Sequence, residues 1–86
     1  MLTEYDAVVI VLNEHIEALK WEIRELKDER RDIISDPEMG RECREYSDVV
    51  KELHIARHQL ASLEHFKDCL EERVRDLLQM DAMGLL

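Results

Sequence analysis

The chain has 86 residues, enough for one small domain and too few for two. Charged residues make up 38% and hydrophobic residues 45%, with two glycines and one proline, which is typical of helical bundles and coiled coils and excludes a strand-rich or disordered chain. The formal net charge is −9, with the bases spread among the acids and no evidently basic face, so we expect no direct binding to nucleic acid.

The first predicted element is a long helix over residues 3 to about 34. Thr3 is its expected N-cap, and Asp6 lies in the first turn, where an acid suits the helix dipole. Apolar residues recur in alternating steps of three and four, as they do in coiled coils. The members of this first seam series are Leu2, Tyr5, Val9, Leu12, Ile16, Leu19, Ile23, Leu26, Arg30 and Ile33, with Arg30 the polar member.

A turn is predicted at about residues 35–40. Pro37 cannot continue the first helix but suits the first turn of the next one. Ser35 or Asp36 would then be the N-cap of the second helix, and Ser35 with Glu38 has the spacing of a capping box. Gly40 leaves the exact start of the second helix open.

The second predicted helix spans residues 41 to about 80, followed by a frayed tail at 81–86. Its seam series is Tyr46, Val49, Leu53, Ala56, Leu60, Leu63, Lys67, Leu70, Val74 and Leu77. A short turn makes two long helices antiparallel neighbours. Folding at Pro37 pairs residues whose numbers add to about 75, which places Tyr5 opposite Leu70. The sequence therefore predicts an all-α, coiled-coil-like, antiparallel two-helix hairpin that forms a single domain over residues 1–86.

The run Ala7 to Leu12, AVVIVL, has more apolar residues than one seam needs. Ile10 and Val11 point well away from the seam, and further off-seam apolar residues lie near the same open end of the hairpin. A helix that is apolar all round is buried all round, and an exposed patch of this kind marks an interface. Because two-fold homodimers dominate small oligomers, we predict dimerisation into a four-helix bundle. The predicted protein-binding residues are Val8, Val9, Ile10, Val11, Leu12, Phe66 and Leu70, with Trp21 as a further contact because tryptophan is favoured at binding hot spots.

The chain shows no catalytic constellation and no cofactor motif, so we expect a protein that is not an enzyme. The candidate metal ligands are His54, His58, His65 and Cys69, which form two i,i+4 pairs on one stripe. The pairs lie too far apart to share one ion, and solvated histidines are the expectation. Cys43 and Cys69 are expected to be reduced thiols. No signal peptide is visible and AVVIVL is far too short to span a bilayer, which predicts a soluble cytoplasmic protein without membrane contact.

The predicted function is non-catalytic protein binding, as a small self-associating adaptor or regulator with a second protein partner. The alternative is an acidic inhibitor that blocks a basic or nucleic-acid-binding surface of another protein, as some phage-encoded proteins do. Compactness and acidity fit this alternative, whereas interspersed bases such as Arg24, Lys27, Arg30 and Arg31 weigh against it.

Overall fold

The computed structural model describes residues 1–85, which form two α-helices and no strand. Helix α1 spans Glu4–Ser35 and helix α2 spans Arg44–Ala82. The two helices pack against each other along a rod of 68 × 23 × 14 Å. The predicted all-α helical hairpin is therefore confirmed.

The start of α1 follows the prediction from the sequence. The backbone N–H of Asp6 donates to the Thr3 hydroxyl oxygen at 3.1 Å, and the backbone N–H of Thr3 donates to the Asp6 carboxylate at 3.1 Å. Two backbone donors that the helix itself cannot pair are thus satisfied reciprocally. Thr3 is the N-cap, as expected.

The connection between the helices is longer than predicted, and the predicted cap of the second helix is wrong. Ser35 belongs to α1, where its hydroxyl donates to the carbonyl of Arg31 at 2.9 Å. Asp36 is the C-cap of α1, and its carboxylate accepts from the backbone N–H of Glu38 at 2.9 Å. This local turn competes with helix continuation, because a short acidic side chain offers the backbone an alternative partner. The predicted capping box of Ser35 and Glu38 therefore does not form.

Helix α2 begins after the connection at Arg44 instead of about residue 41. Its N-cap is Cys43, whose sulfur accepts from the backbone N–H of Tyr46 at 3.3 Å. Within the connection, Gly40 has φ +86°, a left-handed conformation that a side chain disfavours. The helix becomes regular only after this glycine.

The end of α2 is closed by hydrogen bonds, in place of the predicted fraying from residue 81. The N–H of Gly84 donates to the carbonyl of Asp81 at 3.0 Å, and the N–H of Leu85 donates to that of Met80 at 2.9 Å. With Gly84 at φ +74°, this is the Schellman arrangement. Leu86, the last residue of the predicted tail, lies outside the described residues.

The register differs from the predicted one by about one helical turn. Ser35 ends α1 and Arg44 begins α2, so residues lie level when their numbers add to about 79 instead of 75. Consistently, Tyr5 shares a groove with Val74 and not with Leu70, its partner in the predicted register. The longer connection moves the centre of the hairpin from Pro37 to between Met39 and Gly40.

Burial is concentrated in the half of the hairpin next to the connection, which we call the turn half; the other is the open half. One cluster of buried side chains fills the turn half, and Leu53 within it is 2% exposed. Its members are Ile23, Leu26, Ile33, Val49, Leu53 and Ala56. Ile16 is the buried residue nearest to the open end, beyond which the seam is half-buried or exposed. The open half therefore has the less complete core.

Candidate protein-association surface

The hairpin has two long flanks, one on each side of the seam between its helices. Two grooves mark the first flank, and their lining residues are Ala7, Val8, Val11 and Leu12 in one, and His15, Leu19, His58, Gln59, Ser62 and Leu63 in the other. The second flank also has two grooves, one lined by Asn13, Ile16, Glu17, Lys20, Glu64, Lys67 and Asp68, and the other by Tyr5, Glu71, Val74, Arg75 and Leu78. A residue seven positions along a coiled-coil helix lies on the same side of that helix. Every other residue can therefore be assigned to a flank by counting in steps of seven from the residues that line the grooves.

The open half of the first flank is apolar, and we call this surface the apolar strip. Val8 is 47% exposed, Val11 50% and Phe66 54%. Cys69, also exposed, extends the strip along α2 at heptad spacing from Ser62, whereas the half-buried Met80 lies further along the same side, beyond the exposed and charged Arg73 and Asp76. The strip therefore joins exposed apolar side chains of both helices.

The other predicted contact residues lie around the strip or away from it. Val9, Leu12 and Leu70 are half-buried in the seam beneath the open half. Ile10 is 44% exposed but falls on the second flank, seven residues before Glu17. The predicted run thus divides between the two flanks and the seam.

Trp21 lies on the back of α1, away from both the seam and the apolar strip, and is 59% exposed. Its indole N–H donates to the Glu25 carboxylate at 2.9 Å, and the Arg24 guanidinium lies 5.5 Å from the ring centroid. These contacts use the polar edge and one face of the ring within the same helix. Trp21 is therefore partly covered by its own neighbours.

The turn half of the first flank is acidic, and we call it the acidic stretch. Heptad steps toward the turn from Val8, Val11, Gln59 and Ser62 reach exposed carboxylates and the exposed Ile55, but no lysine or arginine. Its members are Glu22, Glu25, Glu29, Asp32, Glu45, Asp48 and Glu52. A carboxylate oxygen of Asp48 lies 4.0 Å from the Nε atom of Arg44, a residue on the back of α2. The first flank therefore changes from apolar at the open end to negative at the turn.

The turn half of the second flank is basic, which corrects the expectation that no face is evidently basic. Heptad steps from Glu17, Lys20 and Glu64 lead to this basic stretch, whose members are Lys20, Arg24, Lys27, Arg31 and Arg57. Lys20 pairs with Glu17 at 3.5 Å, and Arg31 with Asp28 at 2.6 Å. The prediction missed this separation of charges because acids and bases alternate along the sequence. The separation becomes visible when each charged residue is given its position in the heptad.

The predicted histidine stripe is exposed on α2. The Cys69 sulfur lies 3.6 Å from the His65 ring nitrogen, and His58 lines a groove on the first flank with His15. In residues 1–85 no group of three or more His, Cys, Asp or Glu side chains could hold a metal ion. The stripe therefore offers isolated side chains or pairs instead of a coordination cage.

Neither α1 nor α2 is long and apolar enough to cross a lipid bilayer. Comparison with protein-family models, with curated proteins and with solved structures found no match to this chain. Functional inference therefore depends on the surface of the hairpin itself.

Proposed function

We propose that this chain is a non-catalytic protein-binding module that forms a homodimer through the apolar strip and acts as an adaptor or regulator. The observation that carries the proposal is the placement of Val8, Val11 and Phe66, which are about half exposed on one flank of the half with the weaker core. Contiguous apolar surface of this kind is favourable to cover, because water is released from it.

The total accessible surface supports self-association. The chain exposes 6991 Å², whereas a compact monomer of the same 10.2 kDa mass exposes about 5,300 Å². The excess, roughly 1,700 Å² per chain, is spread along the whole rod. The part on the open halves, about half of it in each copy, adds to roughly 1,700 Å² over two copies, which is the size of a standard specific interface. The radius of gyration is 19.7 Å, against about 12 Å for a compact domain of this length. A partner copy therefore has enough surface to cover.

The proposal is tested with charged substitutions on the two sides of the same apolar run. Val8→Glu/Val11→Glu places carboxylates in the apolar strip, while Ile10→Glu places one on the second flank at similar original exposure. We expect the double variant to be monomeric by sedimentation equilibrium and the control to remain dimeric, because burying an unpaired carboxylate is costly. Circular dichroism verifies that both variants keep their helices.

Dissociation of the Ile10→Glu control with retention of the Val8→Glu/Val11→Glu dimer would move the interface to the second flank. A native chain that is monomeric at every concentration would contradict the proposed homodimer, whichever flank is considered.

A second candidate function is the acidic inhibitor, and the acidic stretch favours it. Three of the bases that weighed against this function, Arg24, Lys27 and Arg31, belong to the opposite flank or its border. A surface of one charge attracts a basic protein surface, and such binding weakens steeply with salt.

The inhibitor hypothesis is tested with a lysine-rich peptide as the probe. Glu22→Gln/Glu29→Gln/Glu52→Gln removes three charges from the acidic stretch, while the matched variant Glu64→Gln/Asp68→Asn/Glu71→Gln removes three from the second flank. The hypothesis predicts that the first variant loses most of the salt-sensitive affinity and that the second keeps it. Equal loss in both variants would indicate attraction to net charge alone.

A further inference from the structure

The acidic stretch restricts how a second copy can cover the first flank. Two copies aligned turn beside turn would bring their acidic stretches face to face. No base of the same flank lies within either stretch, so exposed carboxylates would oppose carboxylates. Juxtaposed like charges disfavour such an interface.

Full-length overlap of two antiparallel copies is also unfavourable. Each apolar strip would then cover the acidic stretch of the other copy. Carboxylates such as Glu22 and Glu52 would lose water without gaining a charged partner, which is costly. The charge pattern therefore permits only an arrangement in which the open halves overlap.

We propose that two copies pair in antiparallel orientation through their apolar strips only, with the turn halves projecting in opposite directions. This inference rests on the proposed self-association. A two-fold axis between the levels of Val8 and Val11 places each of these residues opposite the other in the second copy. The same axis brings Phe66 of one copy opposite Arg73 of the other. Within residues 1–85, Arg73 is the one lysine or arginine on the first flank. An arginine facing an aromatic ring is a favourable contact.

The arrangement predicts a rod longer than the hairpin. The turn lies about 30 residues along the helix from the axis, which is roughly 45 Å at ~1.5 Å per residue. The two turns are then about 90 Å apart, compared with a single-chain length of 68 Å. Both acidic stretches stay in water, one on each arm, so the dimer presents two identical negative surfaces to further partners.

The test is a pair of distances between the two copies, measured by pulsed electron spin resonance. In a Cys43→Ser/Cys69→Ala background, in which alanine keeps position 69 of the apolar strip apolar, a spin label is attached through Glu72→Cys on the back of the open half, or through Glu38→Cys in the connection. Both native residues are exposed and lie off the apolar strip. Serine keeps the capping role of residue 43, since it is a preferred N-cap residue. Sedimentation equilibrium is run on each labelled chain to establish its mass.

We expect the label at position 72 to give an intermolecular distance below about 40 Å and the label at position 38 to give none below about 70 Å, from the rise of ~1.5 Å per residue. Short distances at both positions in a dimer would overturn the antiparallel arrangement and leave self-association intact. A chain of monomer mass would overturn both proposals.

Discussion

Truncation of Phe66 to alanine tests the energetic role of the apolar strip. In the hairpin Phe66 is 54% exposed, so its removal takes little from the intramolecular core. In the proposed dimer the same ring is covered by the second copy. We therefore expect Phe66→Ala to weaken dimerisation strongly while the helical content of the separate chain is kept.

The magnitude follows from the exposed area. A fully covered aromatic side chain buries about 150–250 Å², and Phe66 has about half of its surface left to cover. Covering about 100 Å² contributes roughly 2.5 kcal/mol at ~25 cal/mol per Å². A symmetric dimer contains the contact twice, which sets an upper limit of about 5 kcal/mol. Because alanine retains part of this area, we expect the dissociation constant to rise roughly 10²- to 10³-fold.

The assay is sedimentation equilibrium over a concentration series, with Trp21→Ala as the matched control. Trp21 is also an exposed aromatic residue, at 59%, but lies away from the apolar strip. Its truncation removes contacts with Arg24 and Glu25 and is expected to leave the dissociation constant within about threefold, since exposed sites change free energies by only about 0.5 kcal/mol. A Phe66→Ala dimer as tight as the native one would refute the reasoning.

Three further predictions concern the hairpin itself, measured by urea denaturation at one protein concentration. Leu53→Ala is expected to lower the free energy of unfolding by about 2–4 kcal/mol, because Leu53 is buried. The control Leu78→Ala, at an exposed site, is expected to change it by less than about 0.5 kcal/mol. Equal losses in the two variants would contradict the burial pattern. Lys67→Leu is expected to raise the free energy of unfolding by about 1 kcal/mol, because a half-buried seam position gains apolar contact. The substitution loses only a 3.9 Å surface ion pair with Glu71. A lower free energy of unfolding would show that the Lys67 ammonium is needed. Cys43→Ala is expected to lower it by about 0.5–1 kcal/mol through loss of the N-cap, and Cys43→Ser restores most of it; equal stability of the two variants would exclude the capping role.

The two seam series predicted the helices, their antiparallel packing and the buried positions of the turn half. The error of one turn in register came from treating Pro37 as the centre of the hairpin. The spacing of the series excludes a sum of 75, which sets steps of three against steps of four. When the numbers add to 79, steps of equal length face each other, as Tyr5 to Val9 faces Leu70 to Val74. Sums of 72 and 86 match equally well because the pattern repeats every seven residues, so the length of the connection selects 79. The cap of α2 was missed because cysteine ranks low among N-cap residues, and the local turn at Asp36 competes with the predicted box.

The surface was predicted less completely than the fold. Apolar excess at the open end was visible in AVVIVL and Phe66, but its division between flanks requires the correct register. Ile10 and Val11, adjacent in sequence, fall on opposite flanks because successive residues of a helix turn by about 100°. The acidic and basic stretches were hidden for the same reason, since neighbouring charges along α1 separate to different sides of the hairpin.

The measurement that tests the central claim most directly is the solution mass of the native chain by sedimentation equilibrium over a hundredfold range of concentration. Association through the apolar strip predicts a reversible approach to twice the 10.2 kDa chain mass, with little weakening at high salt because the contact is hydrophobic. A well-folded chain that keeps a mass of 10.2 kDa throughout the range would contradict the homodimer.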